Sequence, residues 1–372
     1  MKNEDLKYKI ASAHFPHIGL PRLKQIVAHT GTYMSLFSEN VNLLSEVPGI
    51  NKELAKNVVA NTKNALQIAT EELKFIKKQN LNIYYYSDDE YPRRLTHCDD
   101  APIYFYTKGC CNFNLPHVIS IVGTRRMSSE GKRLTHLLIS DLRKLGITPL
   151  VVSGLAYGVD VEAHLAAIEN GLPTVAVLGH HLGILYPASH KSVAQQIVEN
   201  GALVSEFTST SEFYQTNFVK RNRIVAGMAD ATIVVESAKK GGSLITAEMA
   251  NSYNRDVFAF PGRTTDKSSQ GCNNLIKTNQ AALIESANDL VDFMGWSTNK
   301  VNPVVQTQLF VDLSPLEKKI VDFLMPIENA SIDQIASHVK MSISKVSATL
   351  FNLEMQGLII VLPGNTYRLA AK

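Results

Sequence analysis

Short apolar runs alternate with helical segments between residue 118 and about residue 296. Runs that are apolar at nearly every position are typical of parallel strands buried on both faces of a sheet. The segments between them, such as 131–145 and 159–170, are of helical type. The pattern predicts a Rossmann-like, doubly wound α/β domain whose strands are 119–122, 150–152, 174–178, 203–205, 232–235 and 257–260.

Polar and glycine residues stand directly after these strands. Gly123, Thr124 and Arg125 follow the first strand, Gly154 follows the second, and Glu236 follows the fifth. In open parallel sheets, the carboxyl ends of the strands form the binding crevice. We therefore expect these segments to converge in space.

The first 80 residues have a different, helical pattern. Two glycine turns, 17–21 and 47–51, precede apolar helical segments and resemble the hairpins of helix-hairpin-helix or SAM-like modules. In those hairpins a second glycine offers its N–H to a DNA phosphate. Pro21 replaces it in one copy and Asn51 in the other, and proline has no N–H to donate. This favours a packing or partner-docking module over a DNA clamp.

Residues 81–117 begin the sheet domain, which we place at 81–296. The tyrosine-rich runs 83–86 and 102–106 either form a base-stacking surface or extend the sheet with aromatic residues on alternating faces. The second interpretation is favoured.

The C-terminal part divides into a linker and a small domain. Residues 297–313 show no apolar period, which indicates a linker, and residues 314–372 place three helical segments before two strands, the order of a winged helix. The third helix, 342–356, carries Lys345 as its only cation, so it would hold few phosphates. A protein-docking or structural role is favoured over duplex binding.

The overall composition is that of an ordinary globular protein. The 372 residues include 37 Lys and Arg against 34 Asp and Glu, a formal charge of +3, so a case for nucleic-acid binding has to rest on local patches. The four cysteines include no CxxC pair, which argues against a disulfide scaffold or a zinc site. The N-terminus is charged, and no run of about 18 apolar residues follows. We expect a cytoplasmic protein with no membrane contact.

Three local patches carry the chemistry. The strand, turn and helix start at 119–133 should offer backbone N–H groups and Arg125 to an anion. The segment 217–223 combines cations with an aromatic residue, as single-strand binders do. The segment 239–248 opens another helix after a strand, with two lysines and two glycines. Three such turns are more than one nucleotide would occupy. This favours a polymer whose successive phosphates can each bind at one turn.

The segment 153–164 lies where a dinucleotide fingerprint would stand. Its glycines are not spaced as G-x-G-x-x-G, and no acidic residue ends the next strand, so NAD binding is poorly supported. Asp160 and His164 form either an acid–base pair or a helix cap with a packed histidine. We favour the structural interpretation, because neither a nucleophile nor a metal-ligand set accompanies them. We predict that the protein is not an enzyme and has no catalytic residue, metal or cofactor.

These motifs together resemble the DNA-processing protein DprA (Smf) family, which they match in order across the sheet domain. The matching segments are 123–125, 153–164, 176–187, 205–206, 221–227, 242–247 and 257–262. The resemblance implies a protein that binds single-stranded DNA, protects incoming DNA and loads the RecA recombinase in natural transformation and recombination. It also implies a homodimer formed through the Rossmann-like domain.

The resemblance assigns candidate DNA contacts as well. The Gly-Ser-Arg turn of the family falls on 123–125, and its Phe-Pro-x-Arg-Asn-Arg segment falls on 218–223, with Val219 in place of the proline. The Gly-Leu-Asp of the family becomes 181–183, without the carboxylate. The candidate DNA-binding residues are Gly123, Thr124, Arg125, Gly154, Phe218, Lys220, Arg221, Asn222, Arg223, Lys240, Gly242 and Ser243.

Two other functions remain as alternatives. The segment 241–248 loosely resembles the signature of a nucleotide-processing hydrolase of the lysine-decarboxylase-like Rossmann group, although Lys240 stands where the leading proline of that signature belongs. Such an enzyme would release the base from a nucleoside monophosphate. A duplex-specific regulator acting through the winged helix would instead prefer double-stranded DNA.

Overall fold

The computed structural model describes residues 2–296, 313–327, 329–356, 358–362 and 366–369. These belong to two compact units, Met1–Lys300 and Val301–Lys372. Except for Leu313, the predicted linker at 297–313 lies outside the described residues.

The larger unit consists of a helical N-terminal part and an α/β part. Its helices are α1 (Lys2–Ser12), α2 (Leu20–Thr30), α3 (Tyr33–Leu36), α4 (Val41–Ser45), α5 (Lys52–Gln79), α6 (Ser129–Lys144), α7 (Val159–Glu169), α8 (Lys191–Asn200), α9 (Gln215–Gly227), α10 (Gly242–Ser252), α11 (Gln270–Lys277) and α12 (Ala287–Phe293). Its strands are β1 (Asn82–Tyr85), β2 (Tyr104–Gly109), β3 (Val118–Val122), β4 (Leu150–Ser153), β5 (Thr174–Val177), β6 (Gly201–Ser205), β7 (Ala231–Val234), β8 (Asp256–Ala259) and β9 (Ala282–Leu283).

All these strands form one sheet in the order β1-β2-β6-β5-β4-β3-β7-β8-β9. Neighbours from β6 to β9 are parallel, whereas β1 and β2 add an antiparallel edge. Because side chains alternate along a strand, β3 sends Val118 and Val122 into one core and Ile119 and Ile121 into another. Residues of α9 and α10 fill the first core, and residues of α6 and α7 fill the second. The predicted doubly wound, Rossmann-like fold is confirmed.

The direction of the strand order reverses at β3. β4, β5 and β6 lie on one side of it, and β7, β8 and β9 lie on the other. The chain therefore leaves β3 and β7 toward opposite faces of the sheet, which opens a crevice at their carboxyl ends. The polar segments that follow the strands meet at this crevice.

The N-terminal helices share a core with the edge of the sheet. Ile10, Leu23 and Ala65 of these helices lie in the same buried cluster as Tyr104 and Leu178. Asn51 caps α5 by accepting a hydrogen bond from the backbone N–H of Leu54, and Gly49 adopts a φ of 80° that favours glycine. In the turn 47–51, Asn51, which replaces the second glycine, therefore serves as the cap of α5.

The tyrosine-rich segments form β1 and β2. Tyr85, Tyr104 and Tyr106 are buried, and Tyr84 stacks on Phe105 with 5.4 Å between the ring centroids. These rings extend the sheet and its core, in agreement with the favoured interpretation.

The smaller unit is a winged helix, as predicted. Its elements are α13 (Pro315–Leu324), β10 (Ala330–Ser331), α14 (Ile332–Val339), α15 (Ile343–Met355), β11 (Ile359–Leu362) and β12 (Thr366–Leu369). The strands form a sheet in the order β10-β12-β11. Ser314 and Glu317 form a capping box at the start of α13. No helix in the described part of the chain is long and apolar enough to cross a bilayer.

Candidate nucleic-acid interface

A cleft of about 470 Å³ lies at the carboxyl ends of the central strands. The turn after β3, the loop after β4 and the first turns of α9 and α10 form its walls. The candidate residues that line it are Gly123, Thr124, Arg125, Gly154, Phe218, Arg221, Asn222, Lys240, Gly242 and Ser243. Lys220 and Arg223 are not among its lining residues.

The turn after β3 is fixed by hydrogen bonds on both sides. The backbone N–H of Thr124 donates to the carbonyl of Glu236 at 2.7 Å, and the Thr124 carbonyl accepts from Val159 at 3.2 Å. A Cβ on Gly123 would overlap the Val159 side chain and lie 3.0 Å from the Glu236 carbonyl oxygen, so the turn needs glycine there. The exposed Arg125 side chain is therefore carried on a rigid backbone.

The N-terminus of α6 is already occupied by groups of the protein itself. The Ser128 hydroxyl accepts from the N–H of Gly131 at 3.0 Å, and the Ser128 N–H donates to the carboxylate of Glu236 at 2.8 Å. Glu236 is only 6% exposed. The sequence predicted an external anion at this helix start. In the structure the carboxylate of Glu236, from the segment after β7, lies there.

The N-terminus of α10 is open. Gly241 precedes the helix, and no side chain among the described residues caps it. Gly242 is exposed, with no atom within 4 Å of the place where a Cβ would stand. Lys240 is exposed beside it. Free N–H groups at a helix start, next to a lysine, suit a phosphate.

Arg221 forms part of the floor of the cleft. Its side chain is buried, it donates to the backbone carbonyl of Val177, and its guanidinium packs on Gly154, where a Cβ would overlap it. The Arg221 Nε has no hydrogen-bond partner among the described residues. Burial lowers the pKa of Arg221 to about 10, against the opposing effect of Asp160, so the guanidinium stays charged at neutral pH.

Lys220, Arg221 and Arg223 point in different directions. Successive residues on a helix are about 100° apart, so neighbouring cations of α9 do not share a face. Lys220 is exposed, whereas Arg223 forms an ion pair with Glu206 in which the two side chains are 18% and 17% exposed. The three cations, expected as one patch, are therefore divided between solvent, the cleft floor and an ion pair.

Three aromatic rings form one wall of the cleft. Phe218 lies 5.5 Å from Phe213 and 5.8 Å from Tyr186, measured between ring centroids, and the Arg125 guanidinium lies 6.0 Å from the centroid of Phe218. The sequence singled out Phe218 but neither Tyr186 nor Phe213 as a contact. A signal existed for Phe213, since it stands with Tyr214 in an otherwise polar loop.

Asp160 and His164 do not form an acid–base pair at the surface. His164 is fully buried, with Nδ1 2.7 Å from the Thr174 hydroxyl, and burial lowers its pKa to about 3. Burial raises the pKa of Asp160, and Arg221 opposes that shift. His164 is a packed histidine, as favoured, but Asp160 does not cap α7, whose N-cap residue is Gly158. Asp160 lines the cleft instead, with its carboxylate 3.4 Å from the N–H of Ala156. Within the described ranges, no three His, Cys, Asp or Glu side chains are grouped to hold a metal ion.

Comparison with known proteins identifies relatives along the whole chain. The family model "DNA recombination-mediator protein A" matches residues 82–295, and the model "DprA winged helix domain" matches residues 307–365. Protein Smf of Synechocystis is 31% identical over 99% of this chain and 100% of its own length. DNA processing protein DprA of Streptococcus pneumoniae is 37% identical over 55% of this chain and 71% of its own length.

Two solved structures share the fold. The crystal structure of DprA from Streptococcus pneumoniae has a TM-score of 0.61 at 29% identity and covers 77% of this chain and 95% of its own. DNA processing protein A from Helicobacter pylori, whose structure concerns its single-stranded DNA binding mode, has a TM-score of 0.52 at 28% identity and covers 58% of this chain and 97% of its own. With its sheet domain and its winged helix both matched, this chain belongs to the DprA (Smf) family of DNA-processing proteins.

Proposed function

We propose that this protein binds single-stranded DNA in the cleft between β3, α9 and α10, protects incoming DNA and loads RecA onto it during natural transformation and recombination. The observation that carries the proposal is the composition of the cleft. It combines fixed cations, an open helix N-terminus and an aromatic wall. The related protein from Helicobacter pylori, with its single-stranded DNA binding mode, supports this assignment.

The cleft offers separate positions for phosphates and for a base. Arg125, Lys240 and the N–H groups at Gly242 would contact successive phosphates, while Arg221 gives the floor a buried positive charge. Phe218 would stack on a base. Thr124, Asn222 and Ser243 line the same cleft and would shape the contact.

Lys220 and Arg223 enter the proposal in different ways. Lys220 is exposed on α9 outside the cleft, where it would meet a strand that continues beyond it. Arg223 would act by holding α9 against Glu206 rather than by touching phosphate.

We propose a binding role rather than catalysis. The acid–base candidates nearest the cleft, Asp160 and His164, are buried, and His164 is neutral because burial lowers its pKa to about 3. The protein would act in the cytoplasm as a homodimer formed through its Rossmann-like domain, with RecA as its protein partner.

The test compares single-stranded with duplex DNA across a salt series. We expect tighter binding of the single strand and an affinity that falls with salt, with a slope of about 0.7 per phosphate contacted. Addition of the protein should also accelerate RecA filament formation on a single strand. Equal or tighter duplex binding would favour the winged-helix regulator, and release of a base from a nucleoside monophosphate would favour the hydrolase.

A further inference from the structure

We propose that Tyr186 and Phe213 form a second base-binding site beside Phe218, so that the cleft holds single-stranded nucleic acid by its bases as well as by its phosphates. This inference rests on the proposed function, because it concerns the same cleft. It adds Tyr186, from the loop after β5, and Phe213, which directly precedes the N-cap residue of α9.

The geometry makes the three rings one continuous surface. The centroids of Tyr186 and Phe213 are 5.2 Å apart, and each of these rings also contacts Phe218. All three line the cleft. Tyr186 is 47% exposed and Phe213 is 45% exposed, so both residues remain accessible to a ligand.

The loops that carry these rings are held by polar contacts. The Ser205 hydroxyl donates to the carbonyl of His180 at 2.7 Å, and the Asn217 side chain donates to the carbonyl of Glu212 at 2.9 Å. Ser209 donates twice to Glu72. These hydrogen bonds already hold the loops in place. The two large aromatic side chains are therefore not needed at the surface to stabilise the loops.

The three rings themselves carry no charge, which suits a base better than a phosphate. Among the described residues, the cation recorded over this cluster is Arg125, and it lies over Phe218. His180 lies 6.1 Å behind Phe213, and burial lowers the pKa of His180 below its ordinary value, so it is uncharged at neutral pH. Aromatic side chains next to a cationic cleft are the arrangement that unpaired bases recognise.

The bases must be unpaired to reach this surface. In a duplex they stack on their neighbours inside the helix, whereas a single strand exposes the face of each base. If the rings bound a protein partner instead, replacing them would leave the affinity for DNA unchanged. The occupant we assign is therefore a nucleobase of the bound strand.

The experiment uses the full chain with two labelled strands of equal length, an oligothymidylate and an abasic strand with the same number of phosphates. Phe213→Ala and Tyr186→Ala should each weaken thymidylate binding by about 5- to 150-fold, the range of one base–aromatic stack. Neither should change the salt slope, because no phosphate contact is lost. Binding of the abasic strand should change little.

Matched variants separate stacking from packing. Phe213→Leu keeps an apolar side chain and should lose affinity as Phe213→Ala does, so it decides the matter if the alanine variant does not fold. Phe213→Trp should retain affinity, and its fluorescence should be quenched by thymidylate but not by the abasic strand.

The outcomes distinguish this inference from the proposed function. Wild-type protein that fails to bind either strand would overturn the proposed function itself. Wild-type protein that binds with normal salt dependence, together with unchanged affinity in both alanine variants, would overturn the second base site alone. Equal losses on thymidylate and abasic strands, or a loss of RecA stimulation without a loss of DNA affinity, would also overturn it.

Discussion

The buried carboxylate of Glu72 accepts two hydrogen bonds from Ser209, one from its backbone N–H at 2.9 Å and one from its hydroxyl at 2.5 Å. Glu72 belongs to α5 of the N-terminal part, and Ser209 belongs to the loop after β6 that carries Phe213. The Tyr106 hydroxyl donates a third hydrogen bond at 2.6 Å. The helical N-terminal part therefore helps to position the rim of the cleft.

Replacing Glu72 with Gln should destabilise the protein by about 1–3 kcal/mol, because one acceptor oxygen becomes an NH₂ group, so that the Tyr106 hydroxyl loses its acceptor and has to turn round. Ser209→Ala removes a single donor and should cost about 1 kcal/mol. Urea unfolding measures both values. Glu71→Gln, an exposed neighbour on the same helix, is the control and should stay close to the wild type.

Replacing Arg125 with Ala should weaken single-strand binding and lower the salt slope by about 0.7, the value of one single-strand phosphate contact. Arg126→Ala removes the same charge from the next position, which is exposed but does not line the cleft, and should change the slope less. Affinity measured at several salt concentrations checks both variants. Equal slopes for the two variants would contradict the placement of a phosphate at Arg125.

Replacing Arg223 with Ala should act on stability rather than on DNA contacts. The change leaves the largely buried Glu206 carboxyl without its partner, which should cost about 1–3 kcal/mol. Lys220→Ala, on the exposed side of the same helix, should cost less than about 0.5 kcal/mol. Chemical unfolding gives the two costs. A reduced salt slope in a folded Arg223→Ala protein would show that Arg223 touches phosphate after all.

Acid should destabilise the protein through His164. Its pKa is 6.5 ordinarily and about 3 in the folded protein, so between these pH values the unfolded chain binds a proton that the folded chain does not. The contribution of His164 to the free energy of unfolding is therefore fully present above pH 6.5. It falls on acidification, by up to about 1.4 kcal/mol per pH unit. Unfolding measured from pH 7 to pH 4 should show a shallower slope in His164→Gln. His29→Gln, at an exposed position, should keep the wild-type slope.

The apolar runs predicted the central strands well, because a strand buried on both faces has to be apolar at nearly every position. The structure moves most of their ends by only one or two residues. β9, with two residues, is too short to give such a run. The polar segments after the strands also converge as expected, since this follows from parallel topology.

The direction of individual side chains was harder to predict. Lys220, Arg221 and Arg223 formed one cluster in sequence, yet the turn of α9 separates them, and helical geometry alone could have indicated this. Tyr186 joins Phe218 through a loop conformation that leaves no local pattern, whereas Phe213 left a signal because it stands with Tyr214 in an otherwise polar loop. Glu72 did leave a signal, because it lies on the same apolar face of α5 as Ala65 and Ala69.

The carboxylate of Glu236 at the start of α6 also limits which ligands can bind in the crevice. Rossmann-type proteins place the pyrophosphate of a dinucleotide at the N-terminus of the helix that follows the first strand. In this protein a pyrophosphate in that position would meet the carboxyl group of Glu236, which already accepts the Ser128 N–H. We therefore expect free nucleotides to compete poorly with single-stranded DNA for this cleft, which a competition assay with a labelled strand would measure.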